Sequence, residues 1–250
     1  MIPLRDDQPT QSFPILTILL IAANVMVFIL QCFDPSLTHL YALIPYSITH
    51  NDDIGYHQWL AMHADDNGVQ GLVGVPAAPR SALSTLFTCM FLHAGLLHIG
   101  GNMLFLWIFG NNIEDALGKI RFTIFYFGCG LAASLAMVIS APDSQIPTLG
   151  ASGAIAGVLG AYFLLYPRAK VLAIIPVFWL GFLAEVRAFW VLGIWMAINV
   201  FSSLQQQTGG GVAYMEHVVG FLSGMILTGV FGGSKLAVKA RRRLPDSYYR

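Results

Sequence analysis

Six stretches of this sequence are long and apolar enough to cross a lipid bilayer, and they constrain the fold more than any other feature. A transmembrane helix needs about 17–25 mostly apolar residues. The chain is 56% hydrophobic and only 10% charged, whereas soluble domains carry about 25% charged residues. We therefore predict an all-α membrane protein with six transmembrane helices, near residues 13–32, 86–110, 119–141, 150–166, 187–204 and 212–233.

The remaining segments connect these helices within a single predicted domain, residues 1–250. The largest polar segment is an outer loop over residues 34–85, and a basic tail covers residues 234–250. The apolar run 171–183 contains Pro176 and is too short to span, so we predict an interfacial or re-entrant connector there. No cleavable signal peptide is evident, because the first apolar run already has full spanning length.

The distribution of Lys and Arg predicts the orientation, because cytoplasmic loops carry an excess of both. With the N-terminus inside, only Arg80 of the 13 basic residues falls on the outer side. Both termini are therefore predicted to be cytoplasmic, with the tail in contact with anionic lipid headgroups. The formal net charge is zero, so nothing favours nucleic-acid binding. The inner basic residues are Arg5, Lys119, Arg121, Arg168, Lys170, Arg187, Lys235, Lys239, Arg241, Arg242, Arg243 and Arg250.

Two further groups of residues have alternative interpretations. The outer-loop histidines match no compact metal-ligand spacing, so we predict incidental positions and neither a metal nor another cofactor. A disulfide between the two outer cysteines is conceivable, but packing of small apolar side chains is the favoured interpretation for all three. These residues are His39, His50, His57 and His63, and Cys32, Cys89 and Cys129.

Polar residues inside the predicted helices are candidates for a functional site, because burying them in lipid is unfavourable. They occur in the second, fourth and sixth predicted helices and at the cytoplasmic end of the second. In chain order they are His93, His98, Asn102, Glu114, Asp115, Ser152, Glu216 and His217.

Four of these residues are predicted to lie at similar depth. At 1.5 Å per residue, Ser152 lies roughly 22 Å, His217 roughly 25 Å and Asn102 roughly 15 Å above the inner ends of their helices. His98 lies one turn further out, on the same helical face as Asn102. All four thus fall in the outer half of a hydrocarbon core about 30 Å thick. Residues 141–150 must then descend into the membrane, which implies a water-accessible pocket.

The chemistry open to these groups is nucleophilic catalysis. A serine hydroxyl needs a neighbouring base, and His217 is the histidine at matching depth. Gly150 and Gly153 allow Ser152 to occupy a tight junction between loop and helix, where unpaired backbone N–H groups are available. A developing oxyanion could accept hydrogen bonds from the Ser152 N–H and from the side chains of His98 and Asn102.

Such a pair also requires close helix packing. Small residues four apart let membrane helices approach, although packing alone explains most such patterns. Adjacent residues on a helix point about 100° apart, so Glu216 cannot easily orient His217. We therefore predict a Ser–His dyad and not a triad. The glycines that permit the approach are Gly153, Gly157, Gly160, Gly220 and Gly224.

Three motifs resemble those of the rhomboid family of intramembrane serine proteases. FLHAGLLHIGGNMLFLWIFGNNIEDALG is similar to its second-helix signature, GASGAIAGVLGAY to the Gly-x-Ser-Gly motif that opens the fourth helix, and EHVVGFLSG to the His-x-x-Gly motif of the sixth. They occur in the expected order between about residues 81 and 231.

The resemblance implies a six-helix core over about residues 81–233 with a short, recessed fourth helix. It implies Ser152 as nucleophile and His217 as base, with His98 and Asn102 as oxyanion donors. It further implies supporting positions around these groups, and substrates that are single-spanning membrane proteins cut where small or helix-breaking residues unwind the helix. A prokaryotic plasma membrane is the expected location; the oligomeric state is left open. The supporting positions are His93, Gly150, Gly153, Glu114 and Gly220.

The sequence departs from the family pattern in three places. Ala156 stands where some members have an aromatic residue stacked on the histidine, and Glu216 stands where a small residue is common. The first outer loop is long, so its packing cannot be transferred residue by residue. None of these departures removes a reacting group.

Two other functions compete with proteolysis. One is an inactive rhomboid-like protein that binds membrane clients, but such relatives typically lack the serine or the histidine. The other is a transporter or channel, which would need inverted repeats or paired broken helices; the sequence shows neither.

Overall fold

The computed structural model describes residues 1–63, 81–177, 180–204, 211–233 and 236. The predictions for the outer-loop residues 64–80, for the His63 side chain and for most of the basic tail lie outside this part of the chain. The longer helices lie close to five of the six predicted stretches. They are α1 (Ile15–Phe33), α8 (Lys119–Ser140), α9 (Ser152–Leu165), α10 (Ala188–Leu204) and α11 (Gly211–Val230).

The remaining predicted stretch, residues 86–110, is not one continuous helix, and that prediction was wrong. A short helix α5 (Thr85–Thr88), flanked by 3₁₀ turns, ends at Phe91, and the next helix begins only at Leu96. That second piece comprises α6 (Leu96–Phe105), a π turn (Leu106–Gly110) and α7 (Asn111–Leu117). The two pieces are bent by 78°, so the apolar run turns a corner in the segment that carries His93.

The first outer loop contains three short helices: α2 (Leu37–Tyr41), α3 (Pro45–Thr49) and α4 (Ile54–His63). Two backbone hydrogen bonds between Leu43 and Thr148, of 2.9 and 2.7 Å, attach this loop to the segment that precedes α9. The backbone N–H of Tyr46 donates to the carbonyl of Ser144 at 3.0 Å. The long outer loop therefore supports the segment that descends towards Ser152.

The structure is mostly helical, as predicted, but it also contains a small β-sheet that the all-α prediction did not include. Strands β1 (Ile2–Asp6), β2 (Lys170–Val177) and β3 (Leu180–Arg187) form an antiparallel sheet in the order β1-β2-β3. As predicted, the run 171–183 does not form a spanning helix; its described residues lie in β2 and β3, where Pro176 pairs with Gly181. The pairing partner of β2 lies at the start of the chain, and a local pattern cannot reveal it.

Helix α9 forms the centre of the bundle and packs against α8, α10 and α11. Most of its side chains are buried, as expected of a helix that is apolar on every face. Helix α1 has the reverse of the burial pattern of a helix in a soluble protein. Its polar residues Thr17, Asn24 and Gln31 are buried, whereas the apolar residues Leu19 and Met26 are more than half exposed. An apolar exterior around a partly polar interior is the arrangement that lipid favours.

Among the described residues, α1 and α8 each have the length and hydropathy of a complete membrane span. The bent pair Ala82–Phe91 and Leu96–Leu117 makes a third when counted together, and α9, α10 and residues 214–230 of α11 are apolar but shorter. The chain is therefore a helical membrane protein. The arrangement of six spans stays a prediction.

Candidate active site

Ser152 is the first residue of α9, directly after a backbone turn that requires glycine. Gly150 has a φ of +131°, a region that residues with a Cβ rarely adopt. Its N–H donates to the carbonyl of Cys89 at 2.9 Å, which ties the turn to the segment before α6. This combination holds the Ser152 side chain at the N-terminal end of the central helix.

Helices α9 and α11 approach to backbone contact beside this serine. A Cβ on Gly220 would lie 2.2 Å from the carbonyl oxygen of Gly153, and one on Gly224 would lie 2.0 Å from that of Gly157. Only glycine fits at such distances. The close approach places His217 next to the N-terminus of α9, and Ser152 and His217 line the same two cavities.

His217 is oriented by a residue that sequence reasoning missed. Its Nδ1 lies 2.7 Å from Oδ1 of Asn199 on α10, and the Asn199 amide nitrogen donates to the carbonyl of Trp195 at 2.8 Å. Because that donation assigns the amide orientation, Oδ1 accepts and His217 carries its proton on Nδ1. The Nε2 atom of His217 is then left with the lone pair that a general base needs.

The indole of Trp195 also contacts the base. Its ring lies 5.7 Å from the His217 ring, centre to centre, at an angle of 33°. An aromatic neighbour for the histidine is therefore present, although it comes from α10 and not from the position of Ala156 on α9. Both Asn199 and Trp195 lie inside an apolar predicted helix, so the rule on polar groups in lipid could have identified Asn199.

His98 and Asn102 face the same cavity as Ser152 and His217. Nδ1 of His98 accepts a hydrogen bond from the Ala94 N–H at 3.3 Å, which leaves the proton on Nε2. A Cβ on Gly150 would lie 2.9 Å from that Nε2 atom and 3.6 Å from Oγ of Ser152. The His98 Nε2 and Ser152 Oγ atoms therefore lie on either side of the space next to Gly150. The buried amide nitrogen of Asn102 has no hydrogen-bond partner among the described residues. Both side chains thus present free N–H donors.

No hydrogen bond joins Ser152 to His217 within the described structure. In enzymes without bound substrate such hydrogen bonds are often long and shorten only in the reacting complex. The structure therefore brings the four predicted chemical groups to one cavity, with the proton positions on both histidines assigned by their other partners.

The predicted supporting residues fall in two places. His93 is buried beside His98, with ring centres 5.1 Å apart, and its backbone N–H donates to the side chain of Gln31 on α1 at 3.0 Å. Glu114 lies at the other end of the bundle, where its carboxylate accepts hydrogen bonds from the N–H groups of Leu16 and Thr17. An acidic side chain at a helix N-terminus is stabilising, so Glu114 holds α1 and takes no part in the cavity.

Glu216 lines one of the two cavities, together with Ser152 and His217. It is 5% exposed, and the sequence offered no role for it. Within the described ranges, no cluster of three or more His, Cys, Asp or Glu side chains could hold a metal ion. Cys32, Cys89 and Cys129 are free thiols.

These features define a class of protein: a helical membrane protein with a serine and a histidine facing one cavity between helices. The family model for the Rhomboid domain matches residues 80–234. The chain therefore belongs to the rhomboid family, which confirms the resemblance seen in its motifs. Membership supports an intramembrane protease at the level of the family.

Several known proteins are similar to this chain. Rhomboid protein 1, mitochondrial, of Saccharomyces cerevisiae is 33% identical over 162 residues, which cover 62% of this chain and 43% of that protein. Rhomboid protease GluP of Bacillus subtilis is 30% identical over 148 residues, covering 59% and 24%. RHOMBOID-like protein 1 of Arabidopsis thaliana is 30% identical over 146 residues, covering 58% and 34%. The matches thus span less than half the length of each of these relatives.

Proposed function

We propose that this protein is an intramembrane serine endopeptidase in which Ser152 is the nucleophile and His217 the general base. The observation that carries the proposal is the meeting of Ser152, His217, His98 and Asn102 at one cavity. The assigned proton positions strengthen it. His217 has its basic nitrogen free, whereas His98 and Asn102 have donors free, which is the complement that acyl transfer needs.

The reaction follows from these positions. Oγ of Ser152 attacks the carbonyl carbon of the substrate and passes its proton to Nε2 of His217. The carbonyl oxygen becomes an oxyanion, which accepts hydrogen bonds from His98, from Asn102 and from the Ser152 N–H. As the C–N bond breaks, His217 returns the proton to the departing amine, and water then hydrolyses the acyl-enzyme by the same route.

Asn199 has a positioning role in this scheme. When His217 takes up the proton it becomes a cation, and the Asn199 carbonyl oxygen stabilises that cation through Nδ1–H. The same hydrogen bond prevents the imidazole from rotating about its side-chain bonds. The dyad predicted from the sequence thereby becomes a Ser–His pair with an amide behind it.

The substrates we propose are single-spanning membrane proteins, cut in or near the membrane-spanning segment. We further propose six spans with both termini cytoplasmic, in a prokaryotic plasma membrane. A tag at either terminus should be protected from external protease in intact cells. Digestion of the tag without permeabilisation would contradict this orientation.

Activity is tested with Ser152→Ala and His217→Ala in proteoliposomes that contain a model single-spanning substrate. Each change is expected to abolish cleavage, because each removes a reacting group. Labelling of Ser152 by a serine-directed fluorophosphonate should be lost in both variants. If Ser152→Ala cleaves as well as wild type, the protease proposal is refuted. If the wild-type protein neither cleaves nor is labelled, an inactive client-binding protein becomes the better interpretation.

A further inference from the structure

Glu216 is a buried carboxylate beside the reacting serine. It precedes His217 on α11 and points towards the start of α9, where a Cβ on Gly153 would lie 2.9 Å from its Oε1. The same point lies 2.6 Å from the Cβ of Ala133, so the glycine makes room for the carboxylate between three helices. Glu216 is only 5% exposed.

The carboxylate has no partner among the described residues. None of them donates a hydrogen bond to Glu216 or forms an ion pair with it. The nearby helices offer no cation, since α9 and α11 contain no Lys or Arg and α8 has them only in its first turn, at Lys119 and Arg121. A buried carboxylate without a partner is unfavourable, and this one faces a cavity through which a partner can enter.

The space in front of Glu216 is a cavity of about 310 Å³, near the lower end of the range for ligand pockets. Its walls are largely apolar, from Ala94, Met137, Ile146, Pro147 and Leu149, with Ser144 and Thr148 adding hydroxyl groups. Ser152 and His217 line this cavity and also a second one, of about 240 Å³. The two cavities therefore meet at the reacting pair, and a substrate bond attacked there has residues next to both.

We propose that this cavity is a substrate subsite for a Lys or Arg side chain located within two residues of the scissile bond. The apolar walls fit the aliphatic part of such a side chain, and Glu216 pairs with its cationic end. The inference rests on the proposed protease function and adds a substrate class to it: membrane proteins with a basic residue next to the cleavage site.

A basic side chain fits better than a neutral polar one for a physical reason. A hydrogen bond between two charged groups is roughly twice as strong as one between neutral groups. Because Glu216 is buried, its charge is also screened less by water than that of a surface carboxylate. The interaction of Glu216 with a substrate side chain is therefore strongest when that side chain is positively charged.

The experiment scans one substrate. Each of the four residues nearest its cleavage site is changed in turn to Lys, Arg, Gln or Met, and kcat/KM is measured for wild type, Glu216→Gln and Glu185→Gln. Glu185 is the matched control, because it is exposed on β3 and pairs with Lys170, away from both cavities. We expect wild type to prefer Lys over Met at one position by about tenfold or more. In Glu216→Gln that ratio should fall to about one, and in Glu185→Gln it should remain.

The ratio separates specificity from folding, because a structural defect lowers both rates together and leaves it unchanged. If Glu216→Gln does not fold, the wild-type scan still tests the subsite, because it compares basic and neutral side chains with the same enzyme. A wild-type enzyme that cleaves all substrates without a basic preference would overturn the subsite and leave the protease intact. An unchanged ratio in Glu216→Gln would do the same. Absence of any Ser152-dependent cleavage would overturn both proposals.

Discussion

Replacing Asn199 by alanine removes the acceptor for Nδ1 of His217 while leaving Ser152, His98 and Asn102 in place. The hydrogen bond is 2.7 Å long in the resting enzyme, and it becomes charge-assisted when His217 takes the serine proton. Hydrogen bonds to charged groups contribute about 1.5–3 kcal/mol. Asn199→Ala should therefore lower kcat by about 10- to 150-fold.

The assay is single-turnover cleavage of a transmembrane substrate in proteoliposomes, with fluorophosphonate labelling of Ser152 as a second readout. Both rates should fall in Asn199→Ala, and Asn199→Asp should recover much of the loss because a carboxylate also accepts from Nδ1–H. Ser203→Ala is the matched control. Ser203 is buried one turn further along α10 and donates to the Val200 carbonyl within its own helix.

Three outcomes would refute this reasoning. A kcat of Asn199→Ala within twofold of wild type would mean that the hydrogen bond does not orient the base. If Asn199→Asp is as slow as Asn199→Ala, an acceptor at this position is not what matters. If Ser203→Ala loses as much activity as Asn199→Ala, the effect is a general one on α10.

Three further predictions test other parts of the structure. Asn102→Ala should lower kcat by about 10²–10³-fold with little change in KM, because an oxyanion donor acts in the transition state; an unchanged kcat would remove it from the proposed oxyanion site. Gly224→Ala should lower stability in detergent by about 1–3 kcal/mol, because its Cβ would lie 2.0 Å from the Gly157 carbonyl oxygen. Gly229→Ala is the control and should melt like wild type, because a Cβ there meets nothing within 4 Å. Burial raises the pKa of the Asp6 carboxyl from 3.8 to about 6, so the folded state binds the proton more tightly and loses about 2 kcal/mol of stability as pH rises from about 4 to 6. Asn cannot titrate, so the melting temperature of Asp6→Asn should rise relative to that of wild type across this range. Parallel curves of melting temperature against pH would contradict this.

Much of the candidate site was predictable from the sequence, because polar groups within apolar runs are conspicuous. His98, Asn102, Ser152 and His217 each stand out in this way, and helical rise places them at similar depth. Asn199 is equally polar and equally enclosed by apolar residues, but it lies 18 positions from His217 on another helix. Its role depends on how α10 packs against α11.

Two features of the fold were not predictable from local patterns. The break after Phe91 falls inside an apolar run that hydropathy treats as continuous. The sheet depends on Ile2–Asp6 meeting Lys170–Val177, two segments separated by most of the chain. Hydropathy detects only whether a segment is apolar, and long-range pairing needs the whole fold.

The sequence by itself determined the class of protein, most of the helix positions and the reacting groups of the proposed dyad. These follow from local properties, namely run length, residue type and helical rise. Only the tertiary structure decided which nitrogen of His217 carries the proton, which atom of His98 is free to donate, and that Glu216 faces a cavity with no partner among the described residues. Those properties depend on hydrogen bonds and packing between different segments, and so they exist only once the helices have assembled.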